Sequence, residues 1–124
     1  LRQLAQGEDP RPVRPDRPRK SVSAETTFAS DLDAPAAQAE AIRRLAEQVA
    51  ASLAKRRLRA RTVTIKVRYG DFTTVTRSHT EAAATADAGV IGSRALALLA
   101  RTEAISRPVR LLGVGTHGLV QNGA

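Results

Sequence analysis

The segment Thr62-Val63-Thr64-Ile65-Lys66-Val67-Arg68-Tyr69-Gly70-Asp71-Phe72 decides the fold. From Thr62 to Tyr69 the residues alternate strictly, with Val63, Ile65, Val67 and Tyr69 on one face and Thr62, Thr64, Lys66 and Arg68 on the other. A period of two marks a half-buried strand, because successive side chains of an extended backbone point to opposite faces. Gly70-Asp71 then supplies a tight turn, and Phe72 to Thr80 reads as the returning strand of a hairpin. Phe72 and Val75 differ in parity, which points to a bulge at the start of that strand. The hairpin needs helices against its apolar face and leaves a polar, cationic face open.

Working outward, Ile42, Leu45, Val49 and Leu53 recur at helical spacing with Ala46 and Ala50 beside them, while Arg43, Arg44 and Glu47 point away. Asp31 to Asp33 and Pro35 read as the start of this helix, with acids and proline in its first turn. Lys55-Arg56-Arg57 closes it, where cations complement the negative end of the dipole. Upstream, Ser21 to Phe28 alternates again: Val22, Ala24, Thr26 and Phe28 against Ser21, Ser23, Glu25 and Thr27. Downstream, Asp87 is a natural N-cap for a second helix packed through Ile91, Ala95, Leu98 and Leu99. Pro108 follows that helix, Val109 to Thr116 reads as a last strand, and Gly118 to Ala124 as a frayed tail. The order is β-α-β-β-α-β. This predicts an α+β fold, the split arrangement, with a four-stranded antiparallel sheet and both helices on one face.

Before this unit, Leu1 to Gly7 reads as the last turn of a helix stopped by Gly7. Glu8 to Lys20 sets Pro10, Pro12, Pro15 and Pro18 between Arg11, Arg14, Arg17 and Arg19, an extended basic linker. The expected division is thus 1–20, 21–117 and 118–124. A chain of 124 residues that opens on Leu1 and lacks Met reads as a piece of a longer protein. The absence of Cys removes disulfides, thiolate metal sites and cysteine nucleophiles, and suits a reducing, cytoplasmic setting. No apolar run has the length of a membrane span, so a membrane is not an expected partner. Twenty Lys and Arg against 12 Asp and Glu give a net charge of +8, which favours polyanions through counterion release.

Gly113-Val114-Gly115-Thr116-His117-Gly118 matches G-x-G-x-x-G, but a dinucleotide site needs a helix after the third glycine, and only six residues follow. These glycines read as part of a terminal strand. His79 and His117 lie on different strand ends with no acid in ligand spacing, so no metal or other cofactor is expected in this chain. No carboxylate pair, Ser/His/Asp set or P-loop is present, and the chain shows no active site of its own. An RNA-recognition motif shares the element order, but it stacks bases on aromatics of its first and third strands. With Phe28, Tyr69 and Phe72 as the only aromatics, reading of a nucleic-acid backbone is favoured over base stacking. Arg19 and Lys20 beside the hydroxyls and amides of Ser21 to Thr27 suit phosphate, and Thr76-Arg77-Ser78-His79-Thr80 offers a second run of donors.

Arg19-Lys20-Ser21-Val22-Ser23, Glu25-Thr26-Thr27-Phe28, Thr64 to Phe72, Thr74 to Thr80 and Val109 to Val114 together resemble the little finger (polymerase-associated) domain of Y-family translesion DNA polymerases. The bacterial DNA polymerase IV branch matches best, and Leu1 to Gly7 with Asp9 resembles the end of the preceding thumb. The resemblance implies a domain that lies in the major groove of primer–template DNA and holds both backbones. It implies phosphate contacts at Arg19, Lys20, Ser21, Ser23, Glu25, Thr26 and Thr27 on one strand. It implies a second set at Thr74, Thr76, Arg77, Ser78 and His79, with Lys66, Arg107 and Arg110 added on charge and expected facing. The implied parent is a nucleotidyltransferase whose carboxylates and Mg²⁺ sit in the palm, so the fragment alone is inactive. Palm, thumb and sliding clamp are the implied protein partners. The family's clamp-docking peptide is rich in Gln and Leu/Phe, and Gln121-Asn122-Gly123-Ala124 departs from it. The competing expectation is a stand-alone ferredoxin-like interaction or regulatory module whose basic face is merely solvated.

Overall fold

A computed structural model describes residues 21–104 and 106–121. The readings of Leu1 to Lys20 as thumb end and linker, and of Asn122 to Ala124 as tail, lie outside the described residues. The element order is β1 (Val22–Leu32), α1 (Pro35–Lys55), β2 (Leu58–Tyr69), β3 (Thr74–Thr85), α2 (Ala88–Leu99) and β4 (Val109–Gln121). The strands form one antiparallel sheet in the order β1-β4-β2-β3. Each helix therefore connects two parallel strands with another strand between them, the split arrangement expected.

The alternation in β2 sorts the layers. Val63, Ile65, Val67 and Tyr69 are buried against the helices together with Val109, Leu112 and Val114 of β4. The stripe Ile42, Leu45, Ala46, Val49, Ala50 and Leu53 covers them from α1, and Ile91, Ala95 and Leu98 cover them from α2. Gly92 of α2 faces Ala46 of α1, and a Cβ there would make an ordinary van der Waals contact with the Ala46 methyl at 3.5 Å. Asp87 caps α2 by accepting from the Val90 amide at 2.9 Å. Gln38 is a buried polar residue that the apolar stripe does not reveal. Its Nε2 donates to the carbonyls of Leu32 and Ala104, both at 3.0 Å, and so ties the α1 entrance to the loop after α2.

Four details differ from the sequence reading. Asp31 belongs to β1, and α1 starts at Pro35 with no acid in its first turn and no capping side chain. Phe72 is a turn residue with φ 70° and not part of β3, so its parity mismatch with Val75 needs no bulge there. The irregularity lies at the other end of the hairpin, where Ala60 pairs with Thr85 but Thr62 pairs with Thr80. Finally, β4 continues to Gln121 because Leu58, Arg59 and Ala60 extend β2 and give it partners, so Gly118 to Gln121 is strand and not tail. The central strands are β4 and β2, so the first and third strands, which carry the bases in an RNA-recognition motif, are the two edges here.

Candidate nucleic-acid interface

The face turned away from the helices carries the partners of the buried alternation. On β2 these are Thr62, Thr64, Lys66 and Arg68, paired across to Thr80, Ser78, Thr76 and Thr74 of β3. Hydroxyls meet in two rungs, Thr62 with Thr80 and Thr64 with Ser78, each at 2.8 Å. In a third rung Arg68 Nε donates to Thr74 Oγ1 at 3.1 Å. On the other side of the sheet, Ser23 and Glu25 of β1 pair with Gly115 and Gly113 of β4.

Those two glycines, facing Thr64 and Lys66 across β2, leave a trough along the middle of the open face. A Cβ at Gly113 would lie 3.2 Å from Glu25 Cβ, and one at Gly115 would lie 3.4 Å from Ser23 Cβ. The trough is a cavity of about 240 Å³ bounded by Ser21, Ser23, Thr64, Lys66 and Thr76 among others. Lys66 Nζ reaches Glu25 Oε1 across it at 3.5 Å, with both side chains well exposed. The surface is thus a bed of hydroxyls with a narrow floor. It fits a phosphodiester strand better than an apolar ligand, because donors can be shared with oxygen anions without a desolvated pocket.

The expected residues distribute as follows. Ser21, Ser23, Glu25 and Thr27 gather on or beside the open face of β1, while Thr26 shares the parity of the helix side and is exposed because β1 is an edge. Thr74, Thr76 and Ser78 lie on the open face of β3. Arg77 and His79 pair with the buried Ile65 and Val63 and so project to the helix side of that edge. The donor strip read as one surface is therefore split between two. His79 Nε2 bonds Glu81 Oε2, and this partner, with Arg94 further off, holds the Glu81 carboxyl below its usual range.

Arg107 and Arg110 are tied into the fold. Arg107 bridges Glu103 at 2.9 Å and Asp71 at 2.8 Å while its guanidinium lies 4.0 Å from the Tyr69 ring centroid. The Glu103 hydrogen bond chiefly raises the Arg107 pKa. Asp71 is held low first by the Thr73 amide and then by Arg107. Arg110 donates to the carbonyls of Phe28 and Ala29, where β1 leaves regular pairing, and reaches Asp31 at 3.5 Å. Arg19 and Lys20 lie outside the described residues.

Three cations absent from the expected set stand beside it. Arg68 belongs to the open face by the alternation already visible in the sequence, and Arg59 alternates with the buried Leu58 and Ala60. Arg61 is exposed where the pattern reverses opposite Gly118, whose φ of 61° breaks the pleat. The start of β2 was hidden because the helix-ending run Lys55-Arg56-Arg57 passes into it without a turn signal.

Residues 19–124 match the family model described as the impB/mucB/samB family C-terminal domain. The chain belongs to that family. Among full-length relatives, DNA polymerase IV of Alkalilimnicola ehrlichii is 55% identical over 95% of this chain and 33% of its own length. DNA polymerase IV of Halorhodospira halophila is 47% identical over 96% of this chain and likewise 33% of its own. The chain therefore spans about a third of the length of these relatives. The fold of this C-terminal domain is also that of a Y-family DNA polymerase chimera, with TM-score 0.73 at 15% identity over 86% of this chain and 30% of the other. It is again that of a solved complex of a beta-clamp processivity factor and the little finger domain of PolIV. There the TM-score is 0.63 at 24% identity, over 78% of this chain and 86% of the other. Among the described residues no group of three or more His, Cys, Asp or Glu is placed to hold a metal ion, and no helix is long and apolar enough to cross a membrane.

Proposed function

We propose that this family C-terminal domain is the DNA-gripping little finger of an error-prone, lesion-bypass DNA polymerase of the polymerase IV type, a protein of DNA repair in the cytoplasm. One observation carries the reading: the two strands to which the resemblance assigns phosphate contacts, β1 and β3, are the two edges of a single four-stranded sheet. Three inter-strand spacings of about 4.8 Å make that sheet about 14 Å across. The major groove of B-DNA is about 12 Å wide, so a sheet lying along it brings each edge to one backbone. Edge strands also keep a row of amides outside the ladder, which adds backbone donors to Ser21, Ser23, Thr27, Thr74, Thr76 and Ser78. The sparse aromatics suit a role that is indifferent to base sequence.

In the parent enzyme palm carboxylates would hold the Mg²⁺ that supplies charge stabilisation for phosphoryl transfer, and this domain supplies position. It holds the primer–template so that a roomy active site keeps its substrate. The palm and thumb, DNA and the sliding clamp are its partners in that setting, and the solved clamp complex of a little finger domain supports the last of these.

The test is fluorescence anisotropy of the chain on primer–template duplexes of unrelated sequence over a salt series. Binding should weaken steeply with salt and hardly change with sequence. Arg68→Ala, on the open face, should lower affinity on every duplex and flatten the log–log salt slope by about 0.9. Failure to bind at low salt, or a loss confined to one sequence, would sink the proposal and return the interaction-module reading.

A further inference from the structure

Lys55, Arg56, Arg57, Arg59 and Arg61 place five cations in seven residues, and every one is exposed. No Asp or Glu occurs from Gln48 to Gly70, nor from Val109 to Gln121 of β4, one of the two strands beside this part of β2; on the other, β3, Glu81 is bonded to His79. Among the described residues none of the five is in a salt bridge. Arg43, Arg44, Lys66, Arg107 and Arg110 by contrast all have carboxylate partners. Helix capping accounts for part of the run, since Lys55 and Arg56 sit at the negative end of α1. It does not account for Arg59 and Arg61, which belong to the strand beyond.

Backbone geometry adds an independent observation. Arg57 has φ 57°, the left-handed conformation that usually ends a helix with Gly or Asn. An arginine at this position costs backbone energy that a glycine would not, so ending the helix does not by itself explain the residue type. The strip starts in the helix layer at Lys55. Arg59, alternating with the core-facing Leu58 and Ala60, brings it to the open face of the sheet.

We infer that this strip is a second phosphate-binding surface, which takes a stretch of duplex backbone beyond the one held by β1 and β3. The inference rests on the DNA-binding reading above. Cations turned to solvent that have no carboxylate partner among the described residues, with no acid on the adjoining part of β4 and the nearby Glu81 of β3 engaged by His79, make a local positive field that the net charge of +8 only averages. No aromatic lies within the strip, and single strands are typically held by stacking bases on aromatic rings, so duplex backbone is the ligand. The sheet face, with Lys66 neutralised by Glu25, works mainly through hydroxyls and amides, whereas the strip works through charge. The two surfaces should therefore differ in salt dependence.

The experiment measures the salt slope of the whole chain on a long duplex, a duplex half that length, and a single strand of the long sequence. Arg59→Ala/Arg61→Ala should flatten the slope on the long duplex by about 1.8, two contacts at about 0.9 each. The change on the short duplex and the single strand should be smaller. Arg59→Lys/Arg61→Lys should restore most of the slope, which a purely structural role of arginine would not allow. If the double-alanine variant keeps the wild-type slope while Arg68→Ala loses its share, the strip is overturned and the sheet reading stands. If the wild-type chain binds no duplex at low salt, both fail. An equal loss on single strand and duplex would overturn the assignment to duplex. Circular dichroism of each variant separates these outcomes from misfolding.

Discussion

Gln38 shows how one residue joins three elements. It is 2% exposed, and its amide donates to two carbonyls that have no other side-chain donor among the described residues. Gln38→Leu keeps the volume but strands both acceptors, and chemical denaturation should show a loss of about 2–3 kcal/mol. Phe72 is the opposite case, a large ring 70% exposed on a left-handed backbone. Phe72→Asn surrenders little burial and relieves the backbone, so the melting temperature should rise, by the equivalent of up to about 1 kcal/mol. At Gly118, with φ 61°, Gly118→Ala should destabilise by about 1 kcal/mol in the same assay, although a methyl there has room at 3.5 Å from Arg61 Cβ. None of the three environments shows in a hydropathy pattern. Gln38 sits one turn before an apolar stripe, and a positive φ at Phe72 runs against its residue type.

Elements were legible where period and punctuation agreed. The strict alternation of Val63 to Tyr69, the helical stripe from Ile42 to Leu53 and the Asp87 cap all stand in the structure as read. Boundaries failed where long-range pairing decided them: β4 persists to Gln121 only because Leu58 to Ala60 run beside it. The donor run on β3 failed as a single surface for a simpler reason, that adjacent residues of a strand cannot share a face. Asp87→Ala should cost about 1 kcal/mol and speed amide exchange in the first turn of α2. The hairpin end has a pH signature. Asp71 is held low by the Thr73 amide and Arg107, so its stabilisation is present at neutral pH and vanishes as pH falls through the lowered value. Melting curves of Asp71→Asn should run below wild type at neutral pH and converge with it in acid, below the usual aspartate range. Parallel curves at all pH values would remove Arg107–Asp71 as a pH-sensitive lock.

For the whole molecule, the order of elements implies the fold class, whereas the strand order β1-β4-β2-β3 is set by long-range pairing that no local pattern shows. That order matters most for function, because it sends β1 and β3 to opposite edges and leaves β4 and β2 as the floor between them. Candidate contacts on the edges were visible as hydroxyl-rich segments. Arg59 and Arg61 were not, because their strand begins inside what reads as a helix end.

Among the described residues β1 and β3 are edges with no further strand beside them, and this has a cost. A bare strand edge invites another strand, and two copies of this chain could join β1 to β3. What keeps them apart is the mutual repulsion of molecules that each carry a net charge of +8, and repulsion between exposed charges weakens as the Debye length shrinks from about 10 Å at 0.1 M salt to about 3 Å at 1 M. Under the proposed DNA-binding role, salt that weakens the grip on DNA would also remove the barrier between copies. Light scattering of the free chain should rise with ionic strength, and a short duplex added at low salt should leave it flat. The polyanion would then act as a chaperone for the edges that it occupies.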